Sequence, residues 1–309
     1  MEGETMARTR YAPDRGLTSR MLLTMFLLGL VYVVFVGAVF VAAPRFGPIA
    51  LLVAAVFLFA QYFFSDRMTL FAMRAQVVTP EQAPELHGVV DRIIALSDAP
   101  KPKVAIADTD VPNAFATGRN QKKAVVCVTT GLLRRLDPVE LEGVLAHEMA
   151  HVAHRDVAVM TIASFLGICA GLLTRVGLQA GLFGGFNRRN DQNTGLILLA
   201  VVVVSAVAYA ISFLLTRALS RYRELSADRA AALLTGRPSA LASALTKISG
   251  DMARIPSRDL RSAEPFNAFF FAPAFTKGVS LSTLFSTHPS LDKRLDQLQK
   301  ISGQLGRGE

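Results

Sequence analysis

The chain has 309 residues, of which 51% are hydrophobic and only 18% are charged, and it contains no tryptophan. Because this composition and the positive mean hydropathy are too apolar for an ordinary soluble domain, they favour a membrane protein. The formal net charge is +9, but no basic stripe is interleaved with aromatic residues, which argues against nucleic-acid binding and favours attraction to anionic lipid.

Four apolar stretches are nearly free of charge, at residues 21–43, 48–64, 157–183 and 195–216. Since a helix needs roughly 20 apolar residues to cross the hydrocarbon core, the first and fourth are predicted to span a membrane, and the shorter second also qualifies. The third contains Arg175 and Gln179, so it either crosses or lies partly at the interface. A cleaved signal peptide is the alternative for the first stretch, but that stretch is too long and further spans follow.

The basic residues predict the orientation of these spans. Of the 33 Lys and Arg residues, 29 lie in the amino-terminal tail or in the two long polar segments, whereas the two short connections hold only Arg45, Arg188 and Arg189. The positive-inside rule therefore places both termini and both polar segments in the cytosol, which requires an even number of crossings. About four transmembrane helices fit this parity.

The first polar segment predicts a helix, two strands and a second helix. Residues 79–100 have apolar positions at helical spacing, and "KVAIAD" and "AVVCVTTGLL" are typical of strands. The intervening "TDVPNAFATGRNQKK" is predicted to be a hairpin or an edge element. A second helix begins at Asp137-Pro138 and, having no further proline, is expected to continue into the third apolar stretch.

The second polar segment opens with "SRYRELSADRAAALLTG", a helix that Gly236 closes, and ends with the helical "THPSLDKRLDQLQKIS". The predicted fold class is therefore α+β: a multi-pass helical membrane protein with a discontinuous cytosolic domain made from two pieces of chain. The predicted parts are a tail (1–20), a transmembrane hairpin (21–64), the first domain piece (65–156), a second membrane-embedded hairpin (157–216) and the second domain piece (217–309).

The string "HEMAH" carries the chemistry of the first piece. His147 and His151 are four residues apart, so on a helix both imidazoles project from one face and can share one Zn²⁺. Glu148 stands beside the first of them, where a carboxylate can act as general base toward a metal-activated water. A pair of surface histidines is the alternative, and a third ligand would decide between the two.

The string "ELSAD" offers that ligand. Glu224 and Asp228 share one helix face; one carboxylate can complete a catalytic zinc site while the other accepts a hydrogen bond from a ligand histidine. The alternative is that Glu224 pairs with Arg221 or Arg223 on a solvated helix. The presence of HEMAH, at a similar distance from an apolar stretch, favours the metal site.

Together, "HEMAH", "SRYRELSAD", "NAFATG" and "THPSLDKR" resemble the HtpX family of membrane zinc metalloproteases, which are related to the prenyl-protein CAAX proteases. The resemblance covers nearly the whole chain. It implies a zincin-like (gluzincin) catalytic domain with one Zn²⁺ per chain, held by His147, His151 and Glu224. It also implies Glu148 as general base and Asp228 as the acid behind a ligand histidine.

The same resemblance implies a quality-control protease of the bacterial inner membrane that cleaves membrane proteins or unfolded polypeptides at the cytosolic face. Such a protease holds its substrate as an added strand, and Asn113, Ala114, Phe115 and Ala116 are the predicted binding edge. An ordinary turn is the alternative for that stretch. His288 is a candidate for stabilising the oxyanion, and helix capping is its alternative.

The rival hypothesis from another class is a membrane scaffold or transporter with a structural or degenerate metal site. A transporter needs ionisable residues at mid-membrane, yet among the four apolar stretches only the third holds one, Arg175.

Overall fold

The computed structural model describes residues 14–42, 73–118, 120–154, 192–252 and 288–306, together with short pieces and single residues between 52 and 71 and between 156 and 174. Most of the second and third predicted spans and the loop with Arg188 and Arg189 lie outside the described residues.

The described elements follow one another as helices and short strands. In chain order they are α1 (Arg15–Ala42), β1 (Ala75–Val77), α2 (Pro84–Ser97), β2 (Lys103–Ala107), β3 (Ala114–Thr117), β4 (Val125–Thr129), α3 (Thr130–Leu133), α4 (Pro138–Ala153), α5 (Gln192–Thr235), α6 (Pro238–Met252) and α7 (Leu291–Leu305). The chain divides into two units: one holds Met1–Leu17, Phe64–Val157 and Ser220–Glu309, and the other holds Thr18–Phe63 and Ala158–Leu219.

The first unit is built on a four-stranded sheet in the order β1-β2-β4-β3. β2 and β4 are parallel, and the two outer strands are antiparallel to their neighbours. β3 therefore occupies one edge of the sheet.

Alternation along β4 separates two apolar clusters. Val126 and Val128 face the main core, to which α2, α4, α6, α7 and the carboxy-terminal part of α5 contribute. Cys127 and Val125 face a smaller cluster on the other side of the sheet. This period of two is what a strand with both faces covered requires.

Two described helices, α1 and α5, are long and apolar enough to cross a membrane, over Arg15–Ala38 and Leu199–Thr235. Large apolar side chains such as Phe26, Val33 and Val203 are exposed on them. An exposed apolar surface of this kind is costly in water and suits lipid. In α5 the fourth predicted span and the "ELSAD" helix form one continuous helix of 44 residues, and Gly236 after it has φ +65, the conformation that commonly ends a helix.

Two sequence-based expectations about element ends are wrong. β4 stops at Thr129 because the Thr129 side chain accepts from the Leu132 amide and starts the helical turn α3. α4 does not run on into the third apolar stretch: it ends at Ala153, with His154 as its C-cap.

Candidate metal centre

Helix α4 has a strongly specified start. The Asp137 side chain accepts from the backbone amides of Val139 and Glu140, while the Glu140 side chain accepts from the Asp137 amide. This capping box and Pro138 in the first turn fix where the helix begins. Every residue from Glu140 to His151 is buried, so the two histidines of "HEMAH" face the protein interior.

Three side chains converge at this point. His147 Nε2 lies 3.2 Å from His151 Nε2. The carboxylate of Glu224, on α5, places Oε2 3.6 Å from His147 Nε2 and Oε1 3.4 Å from His151 Nε2. All three residues are buried. The structure thus brings together the three predicted ligands and does not support the alternatives of surface histidines and a solvated glutamate.

The donor set fits a zinc ion. Two imidazole nitrogens and one carboxylate oxygen are common protein ligands of catalytic zinc, at distances of about 2.0–2.2 Å. In a tetrahedron with such bonds, neighbouring ligand atoms are about 3.3 Å apart. The observed separations of 3.2, 3.4 and 3.6 Å match this value without rearrangement, so an ion would fit among these atoms.

The outer nitrogen of each histidine contacts a buried carboxylate. Asp228 Oδ1 lies 2.9 Å from His147 Nδ1, in the place predicted for the acid behind a ligand histidine. Asp156 Oδ2 lies 2.7 Å from His151 Nδ1, a contact that was not predicted from the sequence. Both carboxylates are fully buried. The sequence indicates Asp156 only through its position five residues after His151. That position predicts a contact only if α4 is known to end at Ala153.

Each of these carboxylates also meets an arginine. Arg294, on α7, donates from Nε to Asp228 Oδ2 at 2.7 Å and from Nη2 to Oδ1 at 2.6 Å. Arg223 Nε lies 3.0 Å from Asp156 Oδ2. The sequence pattern predicted no role for Arg294, and for Arg223 it offered only a surface ion pair with Glu224. Nothing in the "SLDKRLD" pattern alone distinguishes Arg294 from its charged neighbours.

Glu148 points toward the edge strand. Its side chain is buried, and Oε2 accepts from the Ala116 amide of β3 at 3.1 Å. Burial raises the pKa of the Glu148 carboxyl, although the nearby histidines oppose this shift. A buried carboxylate beside candidate metal ligands and a sheet edge has the position that a general base needs.

The pKa values of the two histidines are raised. Burial lowers the pKa of His151, but contacts with Asp156 and Glu224 outweigh it and raise the pKa to about 10. For His147, burial likewise acts downward, and the Asp228 contact reverses the shift. The surrounding carboxylates thus favour the protonated form of both histidines, and a proton on either Nε2 would compete with a metal ion.

His288 lies in the same cluster. It is buried, and its Nδ1 is 3.0 Å from Glu224 Oε2. The alternative role of helix cap does not fit, because α7 begins at Leu291 with Ser290 as its N-cap.

The predicted substrate strand forms β3. The Ala114 and Ala116 side chains pack on the side of the main core, whereas the Phe115 side chain packs into the cluster on the opposite face. Asn113 is buried, and its backbone pairs with Thr129 through contacts of 2.9–3.1 Å. The Phe115 side chain thus lies on the face of the sheet opposite to the main core, and Asn113 anchors the start of the strand.

Comparison with known proteins agrees with this geometry. The profile of "Peptidase family M48" matches residues 80–302, which hold the whole cluster. The chain belongs to peptidase family M48. The chain is also 62% identical over 299 residues to "Protease HtpX homolog 1" of Streptomyces coelicolor, covering 97% of both chains. It is 51% identical to "Protease HtpX homolog" of Moorella thermoacetica, covering 96% of this chain and 98% of the relative.

These relatives confirm the predicted resemblance to HtpX, and the M48 family makes the chain a metalloprotease. Its fold is similar to the crystal structure of S. mikatae Ste24p, with a TM-score of 0.51 at 18% identity. That match covers 92% of this chain, which spans 66% of the Ste24p chain. The fold is thus that of an M48 membrane protease, and the two apolar helices fit a membrane location.

Proposed function

We propose that this chain is an integral-membrane, zinc-dependent endopeptidase that cleaves damaged or misfolded membrane proteins at the cytosolic face of a bacterial inner membrane. The observation that carries the proposal is the convergence of His147, His151 and Glu224 beside Glu148, which in turn contacts the sheet edge. We assign one Zn²⁺ per chain to the three ligand atoms. When bound there, zinc supplies Lewis-acid activation of a water molecule and of the peptide carbonyl.

The residues around this site divide the remaining tasks. Glu148 takes a proton from the attacking water at its carboxylate and gives it to the leaving amine, since its buried side chain interacts electrostatically with all three ligands. His288, in contact with Glu224, is placed to donate toward the oxyanion of the scissile carbonyl. Asp228 holds the outer nitrogen of His147 and thereby the direction of its ring.

The substrate is proposed to bind as an extended strand against β3. Among the described strands, β3 pairs with β4 alone, and the Ala116 amide donates to the Glu148 side chain. Pairing with backbone groups gives affinity for many sequences, which suits a protease that recognises unfolded segments. The small side chain of Ala116, which is only partly buried, leaves room for a side chain of a peptide.

The proposed topology has about four crossings and cytosolic termini, with the catalytic domain formed by residues 65–156 and 217–309. It rests on the distribution of basic residues, which the positive-inside rule assigns to the cytosolic side. Location at the bilayer gives such a domain access to loops that a damaged membrane protein exposes.

The test compares the native protein with Glu148→Gln, each purified in detergent without metal and then given zinc. We expect the native protein to fragment itself and a denatured substrate, and the variant to stay intact with the same zinc content. General acid–base help alone is worth about 10² to 10⁴-fold, so the difference should be unmistakable. Fragments are followed by gel and mass spectrometry, and zinc by elemental analysis.

Glu142→Gln is the matched control. Glu142 lies on the same helix and is also buried, but its carboxylate contacts Arg92 and Arg237, which lie outside the cluster. Cleavage should persist in this variant. Two outcomes would contradict the proposal: equal fragmentation of the native protein and Glu148→Gln, or no cleavage by the native protein with zinc bound. Either would favour a scaffold with a structural metal site over a protease.

A further inference from the structure

Asp156 is a buried carboxylate next to a predicted ligand, and the proposed mechanism gives it no task. Its Oδ2 lies 2.7 Å from Nδ1 of His151, and the residue has no exposed surface. In a continuous helix, a residue five positions later would be displaced by about 7.5 Å along the axis and rotated off the face of His151. The end of α4 at Ala153 therefore makes the contact possible.

Arg223 also contacts this carboxylate, and its Nη2 lies 3.5 Å from Nδ1 of His151. Its Nε lies 3.0 Å from the same Oδ2 atom, and only 11% of its side chain is exposed. Arg223 directly precedes Glu224 in α5. One turn of that helix therefore supplies both a predicted zinc ligand and the arginine that contacts Asp156. An isolated buried carboxylate is costly, whereas one that meets both an imidazole and a guanidinium is compensated.

The contacts repeat those at the first histidine. His147 meets Asp228, which meets Arg294; His151 meets Asp156, which meets Arg223. The two His–Asp–Arg sets come from different parts of the sequence, so their similarity is not the result of a local repeat. Each imidazole has its outer nitrogen held by a carboxylate, and each carboxylate is held by an arginine.

We propose that Asp156, held by Arg223, is a positioning residue for His151: its carboxylate accepts a hydrogen bond from the Nδ1–H and so keeps Nε2 directed at the metal position. A carboxylate in this role fixes the tautomer and ring orientation, and its loss typically lowers metal affinity or activity about 10 to 100-fold. This inference rests on the proposed function, since it assumes that the cluster binds zinc.

The test measures the zinc dissociation constant of the detergent-purified full chain by competition with a chromophoric chelator. Asp156→Asn, which keeps the shape but removes the charge, should raise the constant about 10 to 100-fold. Arg223→Gln should raise it less, and Arg223→Lys less still. In each affected variant the visible spectrum of bound Co²⁺ should also change, because that spectrum reports ligand geometry, which a purely structural role would not alter.

Asp251→Asn is the matched control, because Asp251 pairs with Arg135 at 2.9 Å outside the cluster. It should leave both the dissociation constant and the Co²⁺ spectrum as in the native protein. Native affinity and spectrum in folded Asp156→Asn would overturn the proposal. If Asp156→Asn does not fold and Arg223→Gln binds zinc like the native protein, Asp156 is a structural residue only. Failure of the native protein itself to bind zinc would overturn the proposed function instead.

Discussion

Arg294 and Asp228 form a two-armed ion pair in the protein interior, with N–O distances of 2.7 and 2.6 Å. The arginine comes from the last described helix and is only 2% exposed, and the aspartate contacts the first histidine of the cluster. The pair thus fastens α7 to the candidate metal centre.

Removal of this arginine should destabilise the protein strongly. Arg294→Gln leaves Asp228 buried without its guanidinium partner, and removing one partner of a buried ion pair costs about 3–5 kcal/mol. Arg92→Gln removes an arginine with a 53% exposed side chain from its pair with Glu142 and should cost less than about 1 kcal/mol. Urea unfolding of the metal-free variants in detergent measures both; similar costs would show that the Arg294 pair is unimportant to the fold.

The two acids of "ELSAD" should differ in their effect on zinc. Glu224→Ala removes one of three protein ligands, so the purified variant should contain almost no zinc. Asp228→Asn removes only the charge behind His147, and zinc should bind about 10 to 100-fold more weakly. Elemental analysis and chelator competition give the two results. Full zinc occupancy in Glu224→Ala would mean that the third ligand is another residue.

Two glycines should respond in opposite ways to alanine. A Cβ on Gly131 would overlap the backbone carbonyl of Asp110, so Gly131→Ala should destabilise the protein by about 1–3 kcal/mol. A Cβ on Gly88, within α2, would meet no atom within 4 Å, and Gly88→Ala should stabilise by roughly 0.5–1 kcal/mol through helix propensity. The unfolding midpoints of both variants are measured in detergent and compared with that of the native protein. If both midpoints shift in the same direction, the overlap predicted at Gly131 does not destabilise the variant.

Cysteine labelling in intact cells tests the proposed topology. In a Cys169→Ser background, Arg188→Cys should react with a membrane-impermeant maleimide, whereas Arg237→Cys should react only after lysis. The remaining native thiol gives no background, because Cys127 is buried and burial raises its pKa to about 12. Labelling of both sites before lysis would rule out the hairpin between them.

Much of the candidate site was predictable because its residues lie four apart on helices. The spacing of His147 and His151, and of Glu224 and Asp228, puts each pair on one helix face wherever those helices pack. A sequence with one strong helix start at Asp137-Pro138 also predicts where the first pair lies. The end of α4 was not predictable, since no proline or glycine marks it and the buried contact of Asp156 with His151 accompanies it.

The amino-acid sequence by itself determined the apolar helices, the helix that carries "HEMAH" and the metal-binding residue types, because hydrophobicity and helical periodicity are local properties of the chain. Only the tertiary structure decided that Arg294 meets Asp228, that Arg223 meets Asp156 and that the Ala116 amide meets Glu148. These contacts join residues 32 to 67 positions apart, so their distances depend on how helices and sheet pack around the buried charges, and no local pattern encodes that packing.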